Sequence, residues 1–133
     1  MRILITGSRD WSDKETIRQA LLSFTAEVED PNTVCIIHGG CSTGADFIAN
    51  HLALEYGFRL EVVEADWNAF GRSAGPKRNA EMVRRGADIC LAFLNYCSNK
   101  NCPISFGHYS HGAKNCLSLA ARAGISVQPY YGN

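Results

Sequence analysis

Five short apolar runs alternate with amphipathic stretches, and most runs end in Gly, Ser, Thr or Asp. Arg2–Thr6 is apolar up to Gly7 and reads as a buried strand. Thr33–Ile37 (ending at His38-Gly39-Gly40), Arg59–Glu64, Asp88–Leu94 and Ile125–Val127 read the same way. The stretches between them carry helical spacing. Ser12-Asp13-Lys14-Glu15 has the form of a capping box, and Ile17, Ala20, Leu21, Phe24 and Val28 follow until Asp30-Pro31-Asn32 breaks the run. Ala45, Ile48, Ala49, Leu52, Ala53 and Tyr56 form a second stripe, stopped by Gly57. Gly75-Pro76 opens a third helix running to about Gly86, with proline in its first turn. Ala113, Cys116, Leu117, Ala120 and Ala121 make a fourth stripe, closed by Gly124, and Gln128–Asn133 reads as a tail.

Strand and helix alternating in this order predict an α/β fold. The expected form is a three-layer, Rossmann-like parallel sheet of about five strands with helices on both faces. The strands are continuously apolar, as burial on two faces requires. No repeat, linker or low-complexity break divides residues 1–133, so a single domain is expected. The long segment 95–111 is rich in Asn, Ser, Cys and Gly, and loops of that length are commonly functional.

Composition narrows the partners. Thirteen Lys and Arg balance thirteen Asp and Glu, so no excess of cations exists to displace counterions, and nucleic acid is not expected as a partner. The 46% hydrophobic content excludes disorder, and no apolar run approaches the about 18 residues of a membrane span. A strand beginning at residue 2 leaves no room for a signal peptide, so the cytoplasm is the expected compartment and the six cysteines are expected to be reduced.

In an open parallel sheet the carboxyl ends of all strands lie on one edge, and ligands bind there where strand order reverses. Thr6-Gly7-Ser8-Arg9-Asp10 follows the first strand, and His38-Gly39-Gly40-Cys41-Ser42-Thr43-Gly44-Ala45-Asp46 follows the second. Ala65-Asp66-Trp67 leads on to Arg72 and to Gly75-Pro76-Lys77-Arg78-Asn79, and the fourth strand's loop ends in Ser110-His111-Gly112-Ala113. Glycines permit close backbone approach, helix-start amides suit phosphate, and arginine supplies a fork for its oxygens. The candidate ligand-binding residues are Gly7, Ser8, Arg9, Gly39, Gly40, Ser42, Thr43, Gly44, Asp46, Trp67, Arg78, Asn79, Ser110, Gly112 and Ala113. Trp67 offers a stacking face or a cover for the core. Asp46 would meet a hydroxyl or fix its loop. Arg78 stands at a helix start, where a cation is misplaced unless an anion sits beside it. Each motif alone is weak: Gly39-Gly40-x-x-x-Gly44 is neither a P-loop nor a dinucleotide fingerprint, and ordinary turn chemistry accounts for it equally well.

Two other constellations are set aside. Cys97, Cys102, His108 and His111 would suit zinc, but their spacing matches no standard finger, so they read as a polar insert with reduced thiols and no metal or other cofactor is assigned. His38 near Cys41 falls short of a Cys–His dyad, because a strand-end histidine before glycines is more often structural, and no Gly-x-Ser-x-Gly elbow is present.

Taken together, Arg2 to Trp11, His38-Gly-Gly-x-x-x-Gly-Ala-Asp46, Ala65-Asp-Trp67 with Gly75-Pro-Lys-Arg-Asn79, Ala87 to Phe93 and Ser110-x-Gly-Ala113 resemble the YspA/YpsA-related branch of the SLOG superfamily. That superfamily also holds the Lonely-Guy phosphoribohydrolases. The resemblance covers nearly the whole chain. It implies a Rossmann-like fold, homodimers or higher homo-oligomers, and a nucleotide or nucleotide-derived ligand. The expected role is that of a sensor or sequestering protein in bacterial and phage conflict. Arg78 is similar to an arginine of the catalytic relatives, whose glutamates fall here on Asn115 and Cys116. Cleavage of an N-glycosidic bond needs a carboxylate, so the resemblance favours binding over catalysis. The alternative is a nucleotide N-glycosidase or phosphoribohydrolase in which Asp10, Asp46 or Asp66 replaces the missing glutamate.

Overall fold

The computed structural model describes residues 1–104 and 107–132. Five strands, β1 (Arg2–Gly7), β2 (Cys35–His38), β3 (Arg59–Val62), β4 (Ile89–Leu94) and β5 (Ser126–Tyr131), form one sheet in the order β3-β2-β1-β4-β5. Every pairing is parallel. Helices α1 (Lys14–Thr25), α2 (Gly44–Tyr56), α3 (Trp67–Phe70), α4 (Ala74–Arg85) and α5 (His111–Arg122) connect them. The expected α/β Rossmann-like architecture is therefore present. Strand order reverses between β1 and β4, which is where a crevice opens in such sheets.

Alternation along β1 shows why there are three layers. Ile3 and Ile5 join Leu21, Ile36, Leu52 and Phe93 in a core beneath α1 and α2, while Leu4 points the other way to Ile37, Met82, Cys90 and Cys116 beneath α4 and α5. All of these side chains are buried. Phe93 stacks on Tyr130 at 5.0 Å between ring centroids and meets the edge of Trp11 at 5.5 Å.

Several boundaries differ from the sequence reading. Helix α1 is capped by Asp13, not Ser12, because the Asp13 carboxylate accepts from the Thr16 amide at 3.1 Å and from its hydroxyl at 2.6 Å. Glu15 instead holds Arg18 and Gln19 one turn on. The helix ends at Thr25, short of Val28, and Pro31–Thr33 forms a 3-10 turn. Strand β3 lies at the sheet edge and is only partly buried, so it does not read as a fully covered strand. Trp67–Phe70 and Gly71–Ser73 form a short helix and a 3-10 turn where a loop is expected. Strand β5 continues through Pro129 to Tyr131, so most of the expected tail is sheet. Proline is tolerated there because β5 is an edge strand.

The end of α4 carries a small ion cluster. Glu81 accepts from Arg84 and Arg85, and these guanidinium hydrogen bonds, Arg84's foremost, hold its pKa down to about 2 from 4.5. A carboxyl-detected NMR titration should find that low midpoint. The cluster's small stabilisation is complete above pH 4.5 and disappears as pH falls through about 2. Glu81→Gln should flatten that part of the pH–stability curve, and an ordinary midpoint for Glu81 would show that the cluster does not form in solution.

Candidate functional site

The turns leaving β1 and β4, together with the starts of α4 and α5, enclose a cavity of about 570 Å³ at the carboxyl edge of the sheet. Gly7, Ser8, Arg9, Asp46, Trp67, Arg78, Asn79, Ser110, Gly112 and Ala113 line it. A second cavity of about 400 Å³ adjoins it and is lined by Gly39, Gly40, Ser42 and Thr43. Arg9, Cys41, Trp67 and Arg78 border both. Of the expected binding residues, Gly44 alone borders neither. It has φ +75°, and a Cβ there would run into the Ser8 carbonyl oxygen and the Arg9 backbone, so this glycine lets α2 approach the β1 turn.

Several main-chain amides expected to bind a ligand are engaged within the protein. Ser8 donates its amide to the Phe93 carbonyl at 2.9 Å, and its Oγ accepts from the Asn95 amide at 2.8 Å. Ser8 is therefore a latch between the ends of β1 and β4. Gly39 and Cys41 donate their amides to the buried Asp46 carboxylate at 3.2 and 3.4 Å, and Gly40 donates to His38 Nδ1 at 3.0 Å. Asp46 thus fixes the β2–α2 loop rather than presenting a bare carboxylate.

The arginines are differently placed. Arg78 donates from Nη1 to the Gly39 carbonyl at 2.7 Å and from Nε to Asn79 Oδ1 at 2.9 Å. A Cβ at residue 39 would meet that guanidinium, so a side chain there would displace Arg78 from this position. The buried Asn79 in turn donates from Nδ2 to Asn115 Oδ1 at 3.0 Å and to the Gly112 carbonyl at 3.3 Å, tying α4 to α5. Arg9 stands 5.5 Å from the centroid of the half-exposed Trp67 ring, over its face. Among the described residues Arg2, Arg18, Arg84 and Arg85 pair with carboxylates; Arg9 and Arg78 do not, like the exposed Arg59, Arg72 and Arg122, and of these five only Arg9 and Arg78 border the cavities.

The helix starts sort the same way. Helices α1 and α3 begin with aspartates, Asp13 and Asp66, that cap them through their side chains. Helices α2, α4 and α5 begin at Thr43, Ser73 and Ser110, none of which makes a side-chain capping bond, and these three open toward the two cavities. Such a start leaves amide donors and a positive dipole end directed at the space beyond, although the Ala45 amide of α2 is taken by the Ser8 carbonyl at 3.3 Å and the Ala74 amide of α4 by the Gly71 carbonyl.

A family model described as YAcAr, the YspA, cpYpsA-related SLOG family, matches residues 1–70, from β1 through α3. The chain belongs to that SLOG family. It is also 40% identical over 131 residues to the Gene 61 protein of Mycobacterium phage D29, a match covering 95% of this chain and 93% of that protein.

Against the SLOG background, the positions expected to replace catalytic glutamates separate. Asn115 borders the main cavity, but Cys116 is fully buried beneath β4 and so belongs to the core. The adjacent Cys90 thiol is held protonated, its pKa pushed up by its bond to Cys116 and by burial. Among the candidate carboxylates, Asp66 accepts from the Ala69 amide at 3.0 Å to cap α3, and Asp46 is tied into its loop. Asp10 borders the cavity, with Asn95 donating to it at 3.2 Å. His38 and Cys41 do not form a dyad. His38 Nδ1 accepts from Gly40, which places the ring proton on Nε2, where it is donated to Asn50 at 2.8 Å. Burial and the Asp46 charge push the Cys41 thiol up, against partial opposition from Arg78 and Arg9.

Two features of this SLOG chain escape sequence reading. Tyr96, Cys97, Ser98 and Asn99 wall the main cavity, because the segment after β4 folds back over the site through a Tyr96–Tyr109 bridge. Asn95 organises both Ser8 and Asp10, and its one sequence signal is a polar residue directly after a buried strand. The same fold-back brings together Cys97, Cys102, His108 and His111, which spacing alone did not. No described helix is long and apolar enough to cross a membrane.

Proposed function

We propose that this protein binds a nucleotide or nucleotide-derived small molecule and does not hydrolyse it. One observation carries this reading: two arginines that pair with no carboxylate among the described residues and the uncapped start of α5 border the same cavity. That combination supplies charge and directed donors for phosphate oxygens. Phosphate would lie between Arg78 and the amides at Gly112 and Ala113, with a base against Trp67. The volume of about 570 Å³ is within the range of small-molecule sites. Glu64 borders the smaller cavity and disfavours a second anion there. The absence of a glutamate at Asn115, together with the structural duties of Asp46 and Asp66, supports binding over bond cleavage. The role is that of a sensor or a sequestering protein. Asp10, a carboxylate at the cavity wall, favours hydrolysis as the second reading.

Incubation with a panel of nucleotides, followed by heat release and chromatography, separates the readings. Recovery of intact ligand is expected. Release of free base and ribose phosphate, abolished by Asp10→Asn, would establish the enzyme. Ligand at about 100 times Kd should stabilise the fold by about 2.7 kcal/mol. No thermal shift with any phosphate compound would overturn both readings.

A further inference from the structure

We propose that Cys97, Cys102, His108 and His111 hold one zinc ion, which clamps the segment after β4 to the first residue of α5. The inference does not depend on the nature of the ligand in the cavity.

The donor atoms are gathered close to the spacing a tetrahedral ion needs, and adjustments of several tenths of an ångström to about an ångström would seat one. Donors at zinc–ligand lengths of about 2.0–2.3 Å from a common centre lie about 3.3–3.8 Å from one another. Cys102 Sγ is 3.5 Å from His108 Nε2 and 3.2 Å from His111 Nε2, and the two imidazole nitrogens are 3.1 Å apart. With Cys97 included, all four donor atoms lie within 4.8 Å of one another.

Backbone contacts that owe nothing to a metal set this arrangement. Cys97 donates its amide to the His108 carbonyl at 2.6 Å, and Tyr96 stacks on Tyr109 with centroids 4.6 Å apart, so Cys97 and His108 face each other across a two-stranded ribbon. A turn closed by the Cys102 amide on the Asn99 carbonyl at 3.1 Å returns Cys102 to the same point. The Ser110 amide, bonded to the Asn95 carbonyl at 2.9 Å, brings α5 and His111 against the ribbon. Three separate local structures thus deliver four soft or borderline donors to one place. That donor set selects zinc over magnesium or calcium, which take oxygen ligands.

Four protein ligands close the coordination sphere, so the ion is structural and leaves no position for a reactive water. Binding replaces the thiol protons of Cys97 and Cys102, which pass to solvent, and no electron moves. Cys97 and His111 also border the main cavity, so the clamp fixes one of its walls.

The test uses the full chain expressed with added zinc and purified under reductant without chelator. Elemental analysis should find one zinc per chain that survives dialysis. Replacement by cobalt(II) should give the intense visible bands and thiolate charge-transfer absorption of a tetrahedral site with two sulfur ligands. Cys102→Ser should weaken zinc binding by about 100-fold or more, since even outer-shell changes cost about 10–100-fold. Cys35→Ala, on β2, should leave metal binding unchanged. Substoichiometric metal removed by dialysis, the weak spectrum of octahedral cobalt, or unaltered affinity in Cys102→Ser would each overturn the proposal. A Cys97–Cys102 disulfide with no metal uptake after reduction would do the same. Should Cys102→Ser fail to fold, the cobalt spectrum of the unsubstituted chain decides alone.

Discussion

Gly44→Ala should lower the melting temperature by about 12 °C, a little over twice the fall at Gly57→Ala. Both glycines have positive φ, +75° and +77°, so an L side chain at either place meets the left-handed backbone penalty of about 1–2 kcal/mol. Their surroundings differ. At residue 57 the nearest atom to a new Cβ is Pro31 Cβ at 3.8 Å, an ordinary contact. At residue 44 the new Cβ meets Ser8 oxygen and Arg9 backbone atoms, which cannot rotate away. Forcing α2 off the β1 turn adds an overpacking cost of about 1–3 kcal/mol. The Gly57 variant isolates the backbone penalty, and the difference between the two measures the collision. Because the displaced atoms belong to Ser8 and Arg9, the Gly44 variant should also lose ligand-dependent thermal shift. Equal melting temperatures for the two variants would show that the close approach of α2 to β1 does not exist in solution.

Arg78→Ala should weaken binding of a phosphate-bearing ligand by about 10–100-fold, the equivalent of one charge-assisted hydrogen bond of about 1.5–3 kcal/mol. Arg78 already donates to Gly39 and Asn79 and borders both cavities, with no carboxylate partner among the described residues. Arg78→Lys should recover only part of the loss, because an ammonium cannot span the Gly39 carbonyl and a phosphate with one rigid fork. Calorimetric titration of both variants checks this. The fold should survive, since the lost contacts lie at the rim of the crevice rather than in either core. Affinity unchanged in Arg78→Ala would remove this arginine from the site.

Much of this was legible in the chain itself. The apolar runs around Ile3–Ile5 and Leu91–Phe93 announced buried parallel strands, and the glycines and serines after them marked the edge where the cavity opens. The residues that line the two cavities were legible as a group because topology alone brings strand ends together. Their individual duties were not. Nothing in the sequence states that the Ser8 amide would be taken by Phe93, or that Asp46 would turn inward to Gly39 and Cys41, since those bonds depend on how the strand ends and loop close up. The length of β5 was hidden because Pro129 and Tyr130-Tyr131 follow a polar Gln128, which resembles a tail until β4 pairs with it. The segment after β4 was the least readable. Its ribbon pairs Tyr96 with Tyr109 across an intervening excursion, and no local periodicity records such a pairing.

Pro129 has a consequence beyond its own strand. Gly132 donates its amide to the Leu94 carbonyl at 2.8 Å, so by the two-residue alternation of a strand the even-numbered amides of β5 face β4, and position 129 faces outward. The open margin of the sheet therefore lacks a donor at its middle. A neighbouring molecule that laid a strand along this margin would find an interrupted ladder, which disfavours edge-to-edge growth of the sheet on this side.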